Sequence, residues 1–159
     1  MNRENLILVR DYLMHCPNNF NLNYITDGTA DSVDEWIQAL KTYTCGTTAC
    51  VIGMFPFIFP NTFEYWLAEV KYKTVEARKE IKCRVIASSA NDDEDGGFEC
   101  FINQTQSILD ITDDQWEWLF EPSSYPYKER SNPLAVVSRI NKLLDGTADL
   151  LNDEEDDDD

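Results

Sequence analysis

The chain has 159 residues, of which 43% are hydrophobic, and it carries 30 acids against 13 bases for a net charge of −17. That length and apolar content fit one domain with a sizeable core. The acidic balance argues against direct binding to DNA or RNA, which needs positive charge where phosphates sit.

The charge is unevenly laid out. Asp153–Asp159 holds seven acids, and Asp92, Asp93, Glu94 and Asp95 make a second run. Six of the 13 bases fall between Lys71 and Arg84. The five cysteines (Cys16, Cys45, Cys50, Cys83 and Cys100) are odd in number, and no basic region followed by an apolar one opens the chain. They are expected to be reduced thiols in a cytoplasmic setting.

Taken in order, the first element is a helix from about Arg3 to Cys16, with Leu6, Val9 and Leu13 at helical spacing and Pro17 as its stop. Residues 18–27 read as an Asn-rich loop holding Phe20, Leu22, Tyr24 and Ile25 against the core. Ser32 and Glu35 match a capping box. The helix they open, to about Thr42, is expected to bury Val33, Trp36, Ile37 and Leu40.

Cys45–Phe59 then carries no charge, and Ala49–Phe59 is almost wholly apolar, so this stretch should lie at the centre of the fold. Thr47 or Thr48 is expected to cap a short helix with Cys50 in its first turn, which Pro56 ends or kinks near Phe55. The apolar run is too short to span a bilayer, which needs roughly 20 residues.

Residues 61–89 are read as helical: one helix carrying Phe63, Trp66, Leu67 and Val70, and a second opening at Thr74 with Ala77, Ile81 and Val85 on one face. Lys82–Ile86 would also serve as an edge strand. A charged loop at 91–97 follows. Phe98, Phe101, Ile102, Thr105, Ile108 and Leu109 form one helical stripe. Thr112 and Gln115 make a second capping box, with Ile111 and Trp116 as its hydrophobic staple, and this short helix stops before Pro122. Asn132 caps and Pro133 starts the last helix, and Gly146 suits its end. Beyond Leu151 lies a polyacidic tail that cannot pack.

The fold expected from these elements is mainly α. It is a single helical domain over 1–151 around a buried central helix, with a possible short β element in 61–90 and a disordered acidic tail at 152–159.

Several of these features together resemble a set of small uncharacterised proteins of bacteriophages and bacterial genomes. They are an N-terminal helix ending near a proline, a tryptophan helix, the motif Cys45-Gly46-Thr47-x-Ala49-Cys50-x-x-Gly53, the run Leu109–Pro122 and a closing helix with Arg139 and Ile140. The likeness covers roughly residues 5–55 and 100–145. Met54 stands where that pattern often has His or Trp, and 61–97 looks like an insertion. The resemblance implies a helical fold and a phage-like origin, and it supplies no catalytic residues.

Three chemistries deserve weighing against plain packing. Cys45 or Cys50 with His15, the only histidine, is the one Cys/His arrangement on offer, and a thiol at a helix N-terminus has a lowered pKa. Against it, His15 suits the last turn of its helix as a structural choice. A zinc site could draw on Cys45, Cys50, His15 or Cys16, and Cys83 or Cys100, but the usual C-x₂-C spacing is missing. The favoured reading has Gly46 and Thr47 shaping a turn, Cys50 packed inside, and Gly53 letting another helix approach. The acid pairs Asp34/Glu35 and Asp113/Asp114 sit in first turns of helices, where the dipole favours them.

The reading is therefore of a non-enzymatic phage-type accessory protein, with no cofactor and no metal, in the host cytoplasm. It would bind a host protein, one that itself handles nucleic acid. The contacts expected are Asp92, Asp93, Glu94, Asp95, Asp153, Glu154, Glu155, Asp156 and Asp157, with Trp118, Tyr125 and Tyr127. The alternative is a small thiol- or zinc-dependent enzyme built on Cys45, Cys50 and His15.

Overall fold

The structure is a computed structural model that describes residues 1–15, 20–27, 30–42, 48–70, 78–86 and 96–149. Cys16, Pro17, Cys45, Gly46, Thr47, Thr74, both acidic runs and the tail lie outside the described residues.

The fold is mixed α/β, not mainly α. Six α-helices and two small sheets appear among the described residues. The correction falls on residues 61–89. There β3 (Phe63–Val70) and β4 (Arg78–Val85) pair antiparallel over their full lengths, with Phe63 opposite Val85, Tyr65 opposite Cys83 and Leu67 opposite Ile81. These six residues alternate along both strands and pack on the core, with Phe63, Tyr65 and Ile81 buried. The period of two wins over the helical stripe because aromatic and branched side chains fill a pleated surface well.

The central stretch is buried as expected, with Ala49, Val51, Met54 and Phe55 wholly shielded from solvent. Its backbone differs from one helix capped at Thr47 or Thr48. Thr48–Ala49 forms a short strand, β2, antiparallel to β1 (Thr26–Asp27). A 3₁₀ turn over Ile52–Met54 then leads into α3 (Phe55–Ile58). Pro56 lies in the first turn of α3, where a missing N–H leaves no bond unmade, so it opens a helix and does not close one.

Gly53 admits a backbone, though not that of a helix. A Cβ there would lie 1.7 Å from the carbonyl oxygen of Ile25, in the segment leading into β1. The same glycine's carbonyl accepts the Tyr65 hydroxyl at 2.8 Å, which ties the hairpin to the central segment. Around this hub Phe55 packs its ring against Phe59, Phe63 and Phe120.

The remaining helices wrap the hub with the boundaries their caps dictate. α1 (Arg3–Met14) buries Leu6, Val9 and Leu13. It is joined to the last helix, α6 (Pro133–Asp145), by Arg3 donating to the Leu144 carbonyl at 2.7 Å. α2 (Val33–Lys41) has Ser32 as N-cap, but the Glu35 carboxylate reaches the Asp31 amide at 2.9 Å, so the second arm of the box lands one residue early. It buries Trp36 and Leu40, with Val33 and Ile37 partly covered. In the preceding loop Phe20 and Leu22 are buried while Tyr24 is exposed.

α4 (Gly96–Leu109) and α5 (Asp113–Phe120) are joined through Asp110, which adopts a left-handed φ of 50°. Thr112 and Gln115 form the full reciprocal capping box. α6 (Pro133–Asp145) starts at the Asn132 cap. It ends with Gly146 at φ 71°, whose amide and that of Thr147 bond back to Leu143 and Lys142. This is the pattern of a helix closed by a left-handed glycine.

Candidate functional site

Cys50, the residue a thiol mechanism would need, is inside the protein at 3% exposure. Burial pushes its thiol up to about 11, against the amides of Gly53 and Ile52, which pull it down. Hydrogen bonds from these backbone amides oppose the rise, but desolvation outweighs them. At neutral pH Cys50 is a neutral, shielded thiol. His15 is exposed at the end of α1, with Nδ1 2.9 Å from the Asp11 carbonyl oxygen of its own helix. Cys83 is half-buried and its thiol donates to the Gly53 carbonyl at 3.6 Å. Among the described residues, no group of three or more His, Cys, Asp or Glu is placed to hold a metal ion.

The expected aromatic contacts separate into three environments. Tyr127 is 83% exposed. Trp118 is half-buried. Tyr125 is buried at 3% exposure, so it is a packing residue and not a contact: its hydroxyl donates to the Leu119 carbonyl at 2.6 Å. Burial pushes the Tyr125 hydroxyl well above the usual tyrosine range, although the neighbouring Arg139 charge opposes this.

Arg139 is the residue that organises this corner. Its guanidinium lies 3.6 Å from the Tyr125 ring centre and 5.0 Å from that of Trp118. It also donates to the Trp118 and Ser124 carbonyls and to the Ser124 hydroxyl. A planar fork suits this combined stacking and donation, and an ammonium does not. One sequence signal was available. The helix neighbours three and four away (Ala135, Val136, Lys142 and Leu143) include no acid, so the charge had to find partners elsewhere.

A cleft of about 340 Å³ opens beside this corner, lined by Ile25, Ile52, Ile102, Trp116, Phe120 and Glu121 among others, with Cys50 on its wall. The loop before β1, the start of the central segment, α4 and the end of α5 all meet there. Compared with protein-family models, curated proteins and solved structures, the chain matches none.

Nothing in single-sequence periodicity points to the cleft. Ile25 belongs to a loop, Glu121 reads as an ordinary surface acid, and Trp116 reads as core. Trp116 is instead only partly buried, and its indole N–H donates to Thr105 at 3.2 Å. No helix among the described residues is long and apolar enough to cross a membrane.

Proposed function

We propose that this chain is a non-enzymatic, phage-type interaction protein that inhibits a host protein which handles nucleic acid. The observation that carries the reading is the gathering of eleven acids into two short runs, Asp92–Asp95 and Asp153–Asp159. Carboxylates spaced along a chain occupy a basic cleft much as phosphates do, with fast and salt-sensitive association. Exposed Tyr127 and half-buried Trp118 supply aromatic contact surface. The protein acts in the host cytoplasm and binds its partner, not nucleic acid itself.

The competing enzyme reading loses support at Cys50, because a buried neutral thiol is a poor nucleophile and a poor metal ligand. Slow alkylation of Cys50 by iodoacetamide at neutral pH fits the binding reading.

The decisive experiment uses tagged protein as bait in bacterial lysate, beside a version lacking Asp153–Asp159 and one with Asp92–Asp95 changed to Asn and Gln. A near-stoichiometric nucleic-acid-handling partner, released by moderate salt and weakened by removing either run, is the expected result. Capture that is indifferent to both runs and to salt would remove the acidic-mimic reading.

A further inference from the structure

We propose that the cleft at the end of α5 is a binding site for a small organic cation with an apolar body, an arylalkyl- or alkylammonium. The inference rests on different residues from the acidic runs and stands or falls separately from them.

Size and lining set the class of ligand. At about 340 Å³ the cleft lies at the lower end of the range for small-molecule sites, roughly 300–1,000 Å³. Ile25, Ile52 and Ile102 offer apolar walls to a ring or short alkyl chain. Trp116 and Phe120 line the same space with their rings edge-on, 5.8 Å between centres. Aromatic faces carry partial negative charge and attract an ammonium, tryptophan most strongly.

Charge at the rim selects the sign. Glu121 lines the cleft and is exposed, and none of the ion pairs among the described residues involves it. Among the described residues its side chain accepts one hydrogen bond, from the Ser123 hydroxyl at a long 3.4 Å. Glu121 also follows the last residue of α5, whose final turn contains no basic residue, so the negative end of the helix dipole lies at the same rim.

Two arginines near the cleft are otherwise engaged. Arg139 is held by Trp118 and Ser124. Arg130 donates to the Tyr125 carbonyl at 3.3 Å and to the Asn23 side chain at 3.4 Å, with its guanidinium 5.8 Å from the Tyr127 ring centre. A net charge of −17 further concentrates cations at the surface and repels anions. A cation with an apolar body uses the walls, the rings and the carboxylate together.

The test titrates the full ¹⁵N-labelled chain with phenethylammonium chloride, and separately with 2-phenylethanol and 3-phenylpropionate, at constant ionic strength. The readouts are the Trp116 indole N–H and the Glu121 amide. The expected result is saturable shifts of both with phenethylammonium, weaker binding of the alcohol and none of the carboxylate. Glu121→Gln should weaken phenethylammonium about three- to fivefold, the loss of roughly one exposed ion pair, while leaving the alcohol unchanged. Glu121→Lys should weaken it further. Both substitutions sit on an exposed residue, so the fold is retained. Equal affinity for the ammonium and the alcohol, an unchanged Glu121→Gln variant, or shifts confined to Asp92–Asp95 and Asp153–Asp159 would each overturn the proposal.

Discussion

The central segment Ala49–Phe59 and the β3–β4 hairpin are both amphipathic or apolar stretches that end up against the same core, yet they were legible to different degrees. In the central segment the absence of any charge dictated burial whatever the backbone did. A short strand, a 3₁₀ turn and a four-residue helix all leave Val51, Met54 and Phe55 inside. In the hairpin, Phe63, Trp66, Leu67 and Val70 satisfy a helical period, while Phe63, Tyr65 and Leu67 satisfy a strand period. Cross-strand pairing with Ile81, Cys83 and Val85 decided between them. Hydrophobicity alone places a segment. Choosing its backbone needs a partner, and the partner of a strand lies outside any local window.

The contrast can be tested, beginning where the central segment tolerates least. Gly53→Ala drives a methyl into the Ile25 carbonyl at 1.7 Å, and neither backbone can yield without moving β1. The expected loss is about 4 kcal/mol or outright failure to fold, read by urea denaturation. A loss below about 1 kcal/mol would mean that the close approach is easily relieved and that the hub is less rigid than the hairpin.

Alkaline pH should expose the next largest difference. The Cys50 thiol is raised from 9.0 to about 11, so the folded state favours its neutral form. Stability from this group is whole below pH 9 and drains away as pH climbs towards about 11, by roughly 2–3 kcal/mol. Urea midpoints from pH 8 to 11 should therefore fall more steeply for the parent chain than for Cys50→Ala. Parallel curves would show that the thiol is not desolvated.

The seam between the two regions carries a smaller term. Tyr65→Phe removes the 2.8 Å hydrogen bond to the Gly53 carbonyl and keeps the ring that packs against Trp36 and Phe57. The expected loss is about 1–1.5 kcal/mol in thermal or urea unfolding. No change would mean that the hairpin is held by ring packing alone.

The outer face of the hairpin should matter least. Arg84 pairs with Glu64 across the strands at 2.8 Å and lies 5.2 Å from the Trp66 ring centre. Both charged side chains are about a third or more exposed. A double-mutant cycle on Glu64→Gln and Arg84→Gln is expected to give a coupling of about 0.5 kcal/mol that shrinks with salt. A coupling above about 2 kcal/mol would make this face a structural anchor equal to the buried one.

The candidate site divides in the same manner. Caps and stops were readable because they act over three or four residues: Ser32, Thr112 with Gln115, Asn132 and Gly146 all hold the positions their chemistry favours. Cys50 was correctly placed inside, since it sits within an uncharged run. Its ionisation was not readable, because backbone hydrogen bonds and burial oppose each other and only the depth of burial settles which prevails. Tyr125 looked like surface because Pro, Ser and Lys surround it, but Arg139, fourteen residues on, folds over its ring and closes it off. The cleft was not readable at all, because Ile25, Ile52, Ile102 and Phe120 come from four separate segments.

Composition and order of residues were thus enough to say that Ala49–Phe59 would be buried, where most helices would start and stop, and that the acids would gather in two runs. These are properties of the chain within a turn or two. The pairing of β3 with β4, the strand at Thr48–Ala49, the role of Pro56 as a helix opener, the Arg139 clamp and the cleft at Glu121 came only with folding. Each depends on a contact between residues far apart in sequence, and the free energy of such a contact cannot be written down until the chain has brought both partners together.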